Sequence, residues 1–226
     1  MHAAVLEATA VGPTTTLLDL GCGTGLFARA AIDRGARVTG IDLDPPTVAL
    51  AAAEVPEGSF AVGNVHHPPS GPFDVVAAVQ LLMHVPDPAV VLAAMGRAGA
   101  VVAATVWGRE EECDVRVFGE ALAPWLGPRP AARAPAATDP DRLRPSAEEA
   151  GLRVERLDEV VCPFDYADDD ELLDPLFASA LGRAAGRRAG PVALRAAVLD
   201  RMQQYRTAGG GYRLTNVFRV LVAHPA

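Results

Sequence analysis

Short apolar runs alternate with helical patterns over the first half of the chain. Runs rich in aliphatic and β-branched residues predict strands at 15–20, 37–41, 58–62, 73–79 and 99–106. Between them, apolar residues recur at helical spacing, which predicts helices at about 24–34, 45–54 and 86–97. Because strands that alternate with helices pair in parallel through right-handed crossovers, this pattern predicts an α/β fold.

The second half of the chain predicts more helix than strand. A helix at 139–151 precedes a strand at 152–160, residues 168–207 are helical in pattern, and a last strand is expected at 216–223. Residues 107–138 show no regular pattern, so we expect an irregular segment that serves as a linker or as a lid.

The first predicted strand ends in a turn that contains three glycines. Asp19 lies near the end of the strand, and Gly21, Gly23 and Gly25 follow at alternate positions before a helical pattern begins. Glycine has no Cβ and tolerates positive φ, so such a turn lets the backbone approach a ligand closely. Because ligands of open α/β sheets bind at the carboxyl ends of the strands, the turn predicts a nucleotide-like cofactor.

The charge at this turn distinguishes two kinds of cofactor. From Gly23 onward the chain also fits the dinucleotide pattern G-x-G-x-x-G/A, with Ala28 in the last place. However, the Asp19 carboxylate would repel a diphosphate, whereas it suits the ammonium group of an amino acid. S-adenosylmethionine carries that ammonium and no phosphate. A nicotinamide oxidoreductase is therefore the disfavoured alternative.

The segment from Asp19 to Gly25 resembles the first motif of class I (Rossmann-like) S-adenosylmethionine-dependent methyltransferases that act on small molecules. The resemblance implies that this motif binds S-adenosylmethionine through Asp19, Gly21, Cys22, Gly23 and Gly25. Cys22 occupies a variable position of the motif and needs no special chemistry.

The ends of the next two strands extend the resemblance. Asp42 follows the glycine turn at about the 20-residue distance expected for a carboxylate that bonds ribose hydroxyls, and the resemblance adds Leu43 to the cofactor site. After the third strand, the resemblance places adenine contacts at Asn64 and at the backbone of Val65. Asn64 departs from the aspartate that is common there, although an amide oxygen can still accept from an amine. Asp44, two residues after Asp42, is expected to cap a helix.

The fourth strand is followed by the candidate chemistry. In the family this strand end faces the transferred methyl group, so Gln80 is assigned to the cofactor site. His84 follows in the next loop and is the candidate catalytic residue, because histidine can act as a base near neutral pH. A structural or orienting role for His84 is the alternative.

The resemblance implies a single domain over residues 1–226. Its expected fold is a Rossmann-like, doubly wound, mostly parallel seven-stranded sheet whose last strand is antiparallel, with a helical cap insertion. Residues 107–138 and 165–208 are the expected cap or lid elements. The glycine-rich turn at 209–214 is similar to the end of small-molecule methyltransferases of the broad ubiquinone-biosynthesis type.

Composition limits the partners. The 226-residue chain is 50% hydrophobic, enough for a full core, and carries a net charge of −8 without a basic stripe, which argues against nucleic acid. No apolar run reaches the length that spans a membrane. The three cysteines are scattered and in no metal spacing, so we expect reduced thiols, a cytoplasmic protein and no metal site. The oligomeric state is not predicted.

The expected function is methyl transfer from S-adenosylmethionine to an oxygen, nitrogen or carbon atom of a small organic substrate, with biosynthesis of specialised metabolites as a compatible setting. One alternative is a methyltransferase-like cyclase or isomerase that uses the bound cofactor without methyl transfer. Another is a non-catalytic module that only binds the cofactor.

Overall fold

The computed structural model describes residues 1–126 and 138–226, and a seven-stranded sheet organises them. The strands are β1 Thr16–Leu20, β2 Arg37–Asp42, β3 Ser59–Val62, β4 Phe73–Ala78, β5 Gly99–Trp107, β6 Leu152–Tyr166 and β7 Tyr212–Pro225. Their order across the sheet is β3-β2-β1-β4-β5-β7-β6. Strands β1 to β5 pair in parallel, and β7 pairs antiparallel with β5. The predicted Rossmann-like sheet with an antiparallel last strand is thereby confirmed.

Helices connect these strands. They are α1 His2–Ala8, α2 Leu26–Ile32, α3 Pro45–Glu54, α4 Pro88–Ala98, α5 Arg116–Leu126, α6 Leu143–Glu149, α7 Asp169–Ala178, α8 Ala180–Ala189 and α9 Pro191–Met202. The first four strand predictions agree with the structure to within one residue at each end. The last two strands are longer than predicted, because β6 continues to Tyr166 and β7 begins at Tyr212.

The described residues divide into two compact units. The core unit contains residues 1–107, 138–160 and 218–226, and the helical unit contains residues 108–126 and 161–217. In the core unit, alternate residues of β1 enter different apolar clusters. Leu18 and Leu20 pack with residues of α4, whereas Leu17 packs with Phe27 of α2. This alternation is the period of a strand that is covered on both faces.

The helical unit has an apolar core of its own. Buried side chains of α5, α7, α8 and α9 pack there around Tyr212 and Leu214. The prediction of an irregular segment over 107–138 is wrong for 116–126, which form α5, while 127–137 lie outside the described residues. Gly119 and Pro124 are unfavourable within a helix, so the sequence pattern did not predict this one. Val117, Ala121 and Leu122 nevertheless give it one buried face. A cap function for these helices stays a prediction.

Aspartates fix the starts of several helices. The Asp44 carboxylate accepts a hydrogen bond from the Thr47 N–H at 3.1 Å, ahead of the prolines that open α3. Asp168 accepts from the N–H groups of Asp170 and Glu171, both at 2.9 Å, and so caps α7. These bonds satisfy backbone donors that have no partner within the helix, which confirms the predicted capping role of Asp44.

No helix within residues 1–126 and 138–226 combines the length and the apolar character needed to cross a bilayer.

A histidine joins three strands at one edge of the sheet. His224 of β7 lies with Nε2 2.5 Å from the Glu155 carboxylate of β6 and with Nδ1 3.2 Å from the Ala100 carbonyl oxygen of β5. Both ring nitrogens therefore face acceptors, and both can donate only in the imidazolium form. The hydrogen bond from His224 lowers the pKa of Glu155.

Glu155→Gln should remove the charge of this pair and keep its shape. Because the pKa of Glu155 is lower in the folded state than in the unfolded chain, its contribution is present above pH ~4.3 and is lost as the pH falls through the folded value. We expect the variant to melt below wild type at pH 6, with the difference shrinking towards pH 3, in thermal unfolding followed by circular dichroism. Glu54→Gln, at the exposed end of α3, is the control. A difference that is constant with pH would contradict the assignment.

Candidate functional site

The candidate site lies where the order of the strands reverses. Strand β1 has β2 on one side and β4 on the other, so the crossovers leave β1 in opposite directions. In open α/β sheets, ligands bind outside the carboxyl ends of the strands at this switch point. The predicted residues Asp19, Asp42 and Gln80 all lie at or just beyond these strand ends.

The glycine turn adopts a backbone that glycine favours. Gly21, Gly23 and Gly25 have φ angles of +67°, +54° and +87°. A Cβ on Gly21 would lie 2.6 Å from Leu81 Cδ1, and a Cβ on Gly25 would lie 3.0 Å from Val55 Cγ2. These two glycines therefore allow close packing within the protein itself.

Gly23 differs from its neighbours because the space beside it is open. A Cβ built on Gly23 meets no atom of the described residues within 4 Å. The positive φ favours glycine here, and the open space leaves room for a ligand to approach the backbone, which is the role the sequence predicts for the turn.

Asp19 is a buried acid without enough donors. The residue is 2% exposed, and its Oδ2 atom has no hydrogen-bond partner among the described residues. Burial, followed by the charge of Asp42, raises the pKa of Asp19 to about 8. A buried carboxyl group with an unmet acceptor is costly, so a cationic donor placed here would be stabilised.

Asp42 is tied to the turn by its hydrogen bonds. Its Oδ2 accepts from the Gly23 N–H at 3.0 Å, and its Oδ1 accepts from the Asp44 N–H at 3.1 Å. The structure thus brings Asp42 and the glycine turn together, as predicted. Each carboxylate oxygen keeps further acceptor capacity for a ligand hydroxyl. Leu43, which follows, is 73% exposed and offers apolar surface at the same strand end.

Cys22 is buried between the two acids. Burial and the nearby charges of Asp19 and Asp42 raise the pKa of this thiol to about 12. The thiol form is unreactive as a nucleophile, which agrees with the expectation that Cys22 has no special chemistry.

Asn64 makes local hydrogen bonds after β3. Its Oδ1 accepts a hydrogen bond from the His66 backbone N–H at 3.0 Å and also lies 3.0 Å from His66 Nδ1. The oxygen that the sequence assigns to an adenine amine therefore already accepts from the next turn. Val65 is buried beside the exposed Asn64. The adenine contacts of both residues stay predictions.

Gln80 is hydrogen-bonded to Thr105, a residue that sequence reasoning missed. Its backbone N–H donates to Thr105 Oγ1 at 2.9 Å, and its side-chain amide donates to the same oxygen at 3.1 Å. Thr105 lies in β5 and is fully buried. The available signal was a hydroxyl within an otherwise apolar strand, since a buried hydroxyl needs a partner.

His84 ends a short 3₁₀ turn, Leu82–His84. Its backbone N–H donates to the Leu81 carbonyl oxygen at 2.8 Å, whereas its imidazole is exposed and has no hydrogen-bond partner among the described residues. The structure therefore fixes the main chain of His84 but does not bring its ring into the hydrogen bonds that join Asp42 to the turn. The catalytic role of His84 stays a prediction.

The residues present fit S-adenosylmethionine on two observations. Asp19 offers an unmet acceptor for an ammonium group, and Gly23 leaves open space for a ligand beside the backbone. By contrast, the described residues contain no group of three or more histidine, cysteine, aspartate or glutamate side chains suited to a metal ion.

Comparisons with known proteins identify a methyltransferase domain in this part of the chain. The family model described as "Methyltransferase domain" matches residues 18–100. A ubiquinone biosynthesis O-methyltransferase of Pseudomonas paraeruginosa is 40% identical over 89 residues, which are 36% of this chain and 38% of that protein. The protein of the same name from Thiobacillus denitrificans is 34% identical over 154 residues, 62% of this chain and 66% of that protein.

A solved structure extends the likeness of the fold beyond the matched domain. The putative type II methyltransferase of Anaeromyxobacter dehalogenans has a TM-score of 0.72 at 20% identity, over 99% of this chain and 96% of that one. The predictions of the family and of its cofactor, S-adenosylmethionine, are confirmed at this level. The domain at residues 18–100 and the order of the strands are those of class I, S-adenosylmethionine-dependent methyltransferases.

Proposed function

We propose that this protein transfers the methyl group of S-adenosylmethionine to a hydroxyl oxygen of a small organic molecule. The unmet acceptor of buried Asp19, next to the open space at Gly23, is the observation that carries the proposal. The names of the relatives, O-methyltransferases of ubiquinone biosynthesis, support oxygen as the acceptor atom. A nitrogen or carbon acceptor is the alternative.

The residues of the chain would divide the work of binding. Asp19 would hold the ammonium group of the cofactor, the glycine turn would allow its approach, and Asp42 would accept from the ribose hydroxyls. Bound in this way, the cofactor supplies an electrophilic methyl group. Leu43 offers apolar surface for the adenine ring of the cofactor. Asn64 and Val65 lie at the next strand end and would contact the same ring. Catalysis would then rest mainly on alignment and on exclusion of water.

We infer that His84 accepts the proton of the substrate hydroxyl. The ring is exposed, on a turn whose backbone is fixed by the Leu81 carbonyl oxygen, so it is accessible to a substrate. A hydroxyl that loses its proton becomes a better nucleophile, which is the benefit of a base here. The competing proposal is that His84 only shapes the loop.

We also propose a cytoplasmic protein whose partner is a small molecule, without binding to nucleic acid or to a membrane. The net charge of −8 supports this proposal, since nucleic acids and anionic membranes bind basic surfaces.

Gly23→Val should abolish binding of S-adenosylhomocysteine, the demethylated cofactor, as measured by titration calorimetry. The new side chain would occupy the open space beside the turn. Gly151→Val is the matched control, because Gly151 has a φ of +82° and equally open space, but lies at the start of β6. We expect the control to lose stability and keep its affinity. Equal affinity of both variants would reject the turn as the binding site.

Cofactor affinity should depend on pH through Asp19. Because its pKa in the folded protein is about 8, Asp19 is protonated at pH 6, and binding an ammonium group must release that proton. Affinity should therefore rise up to about tenfold per pH unit between pH 6 and 7.5, and fall once the α-amino group of the cofactor itself deprotonates near pH ~8.

Calorimetry in buffers of different ionisation enthalpy counts the released protons. Asp19→Asn should bind more weakly and without proton release below pH 7.5. If wild type binds tightly and releases no proton at pH 6.5, the role given to Asp19 is wrong.

His84→Ala separates a base from a loop residue. A base contributes roughly 10²- to 10⁴-fold to the rate, so kcat should fall by about that factor while affinity for the cofactor is kept. Methylated product measured by mass spectrometry from pH 6 to 9 provides the readout. A variant with the rate and pH profile of wild type would assign His84 to loop structure. Turnover of substrate without a methylated product would favour the cyclase alternative instead.

A further inference from the structure

Gln80 has a backbone conformation that side chains rarely adopt. Its φ is +56°, and Ala10 is the only other non-glycine residue with positive φ among residues 1–126 and 138–226. Such a conformation is unfavourable for a residue with a Cβ and persists where its surroundings hold it. Ala10 lies on an exposed turn after α1, whereas Gln80 lies at the switch point.

The hydroxyl of Thr105 is what holds Gln80. The parallel ladder between β4 and β5 ends at the pair Ala78–Ala104, so the Gln80 N–H lies beyond the paired residues of these strands. Thr105 Oγ1 accepts both from this N–H, at 2.9 Å, and from the Gln80 side-chain amide, at 3.1 Å. One buried oxygen therefore fixes the main chain and the side chain of the same residue.

The conformation of Gln80 determines how the next residue meets the glycine turn. Leu81 follows directly, and its Cδ1 lies 2.6 Å from the position a Cβ on Gly21 would take. The chain after β4 is thus packed tightly against the turn that follows β1. A change of φ at Gln80 would displace Leu81 and alter the crevice between these two strands.

We propose that Thr105 is a positioning residue of the cofactor site, which holds Gln80 in its left-handed conformation and so sets the crevice between β1 and β4. The inference rests on the proposed function, because it concerns the same site. Thr105 is 0% exposed and lies in β5, outside the residues matched by the methyltransferase domain, so its part in the site comes from tertiary structure alone.

Thr105→Val and Thr105→Ser form a matched pair. Valine has the shape of threonine without the hydroxyl, and serine keeps the hydroxyl without the methyl group. We expect Thr105→Val to weaken S-adenosylhomocysteine binding about tenfold in calorimetry, since it removes the acceptor of two donors, and Thr105→Ser to restore most of the affinity. A role in stability alone would lower the melting temperature without changing the dissociation constant of the folded protein.

A glycine at position 80 tests the mechanism directly. Glycine adopts positive φ without the cost of a Cβ, so Gln80→Gly should need no anchor. In the Gln80→Gly background, Thr105→Val should change the dissociation constant less than twofold, against about tenfold in the wild-type background. Thermal unfolding of all variants confirms that each is folded at the assay temperature.

The outcomes separate the two proposals. If wild type binds neither S-adenosylmethionine nor its demethylated product, the proposed function fails and this inference fails with it. If wild type and Thr105→Val bind equally well, the proposed function survives and the inference is overturned. Equal losses from Thr105→Val with and without Gln80→Gly would show that Thr105 does not act through Gln80.

Discussion

The burial of one carboxyl group, that of Asp19, is the constraint on which the rest of the site depends. Its pKa of about 8 and its unmet Oδ2 atom show that burial of this group costs free energy, and no hydrogen bond to Oδ2 within the described residues offsets that cost. Asp42 lies close enough to add to this cost, although its own oxygens accept from the N–H groups of Gly23 and Asp44. Of two neighbouring acids, the fold satisfies one and leaves an oxygen of the other without a donor. A cation with hydrogen-bond donors is the ligand that reverses this cost.

Strand β2 lies close to the glycine turn because of a glycine of its own. A Cβ on Gly40 would lie 2.6 Å from Phe60 Cδ1 and 2.9 Å from Cys22 Cβ, so β2 can lie this close only with glycine there. That closeness is what lets Asp42, two residues further along, reach the Gly23 N–H. Gly40 and Gly21 thus serve contacts within the protein, whereas Gly23 faces open space, where the ligand is proposed to bind. The glycines of this region are therefore explained by two separate physical causes.

Local patterns predicted the sheet and the turn well, because their causes are local. The alternation of apolar runs and the glycines after Asp19 were sufficient to predict β1 to β5 and the tight turn after β1. Other features depend on distant contacts or on competing local ones. The anchor from Thr105 to Gln80 joins neighbouring strands, and the Asn64 oxygen turns to His66 instead of staying free. The helical pattern over 168–207 resolves into α7, α8 and α9, since Ser179 caps a new helix and Gly190 ends it before Pro191.

Polar side chains of the helical unit form close pairs. In the helical unit the Tyr212 hydroxyl donates to Asp169 at 2.6 Å, and Arg213 forms two bonds to the Asp165 carboxylate. At the strand ends of the core unit, by contrast, Asp19 lacks donors and Gln80 holds a costly backbone angle. Such costs are often found at functional sites. Both lie at the ends of β1 and β4, where the cofactor site is proposed, so they support that proposal independently of any likeness to other proteins.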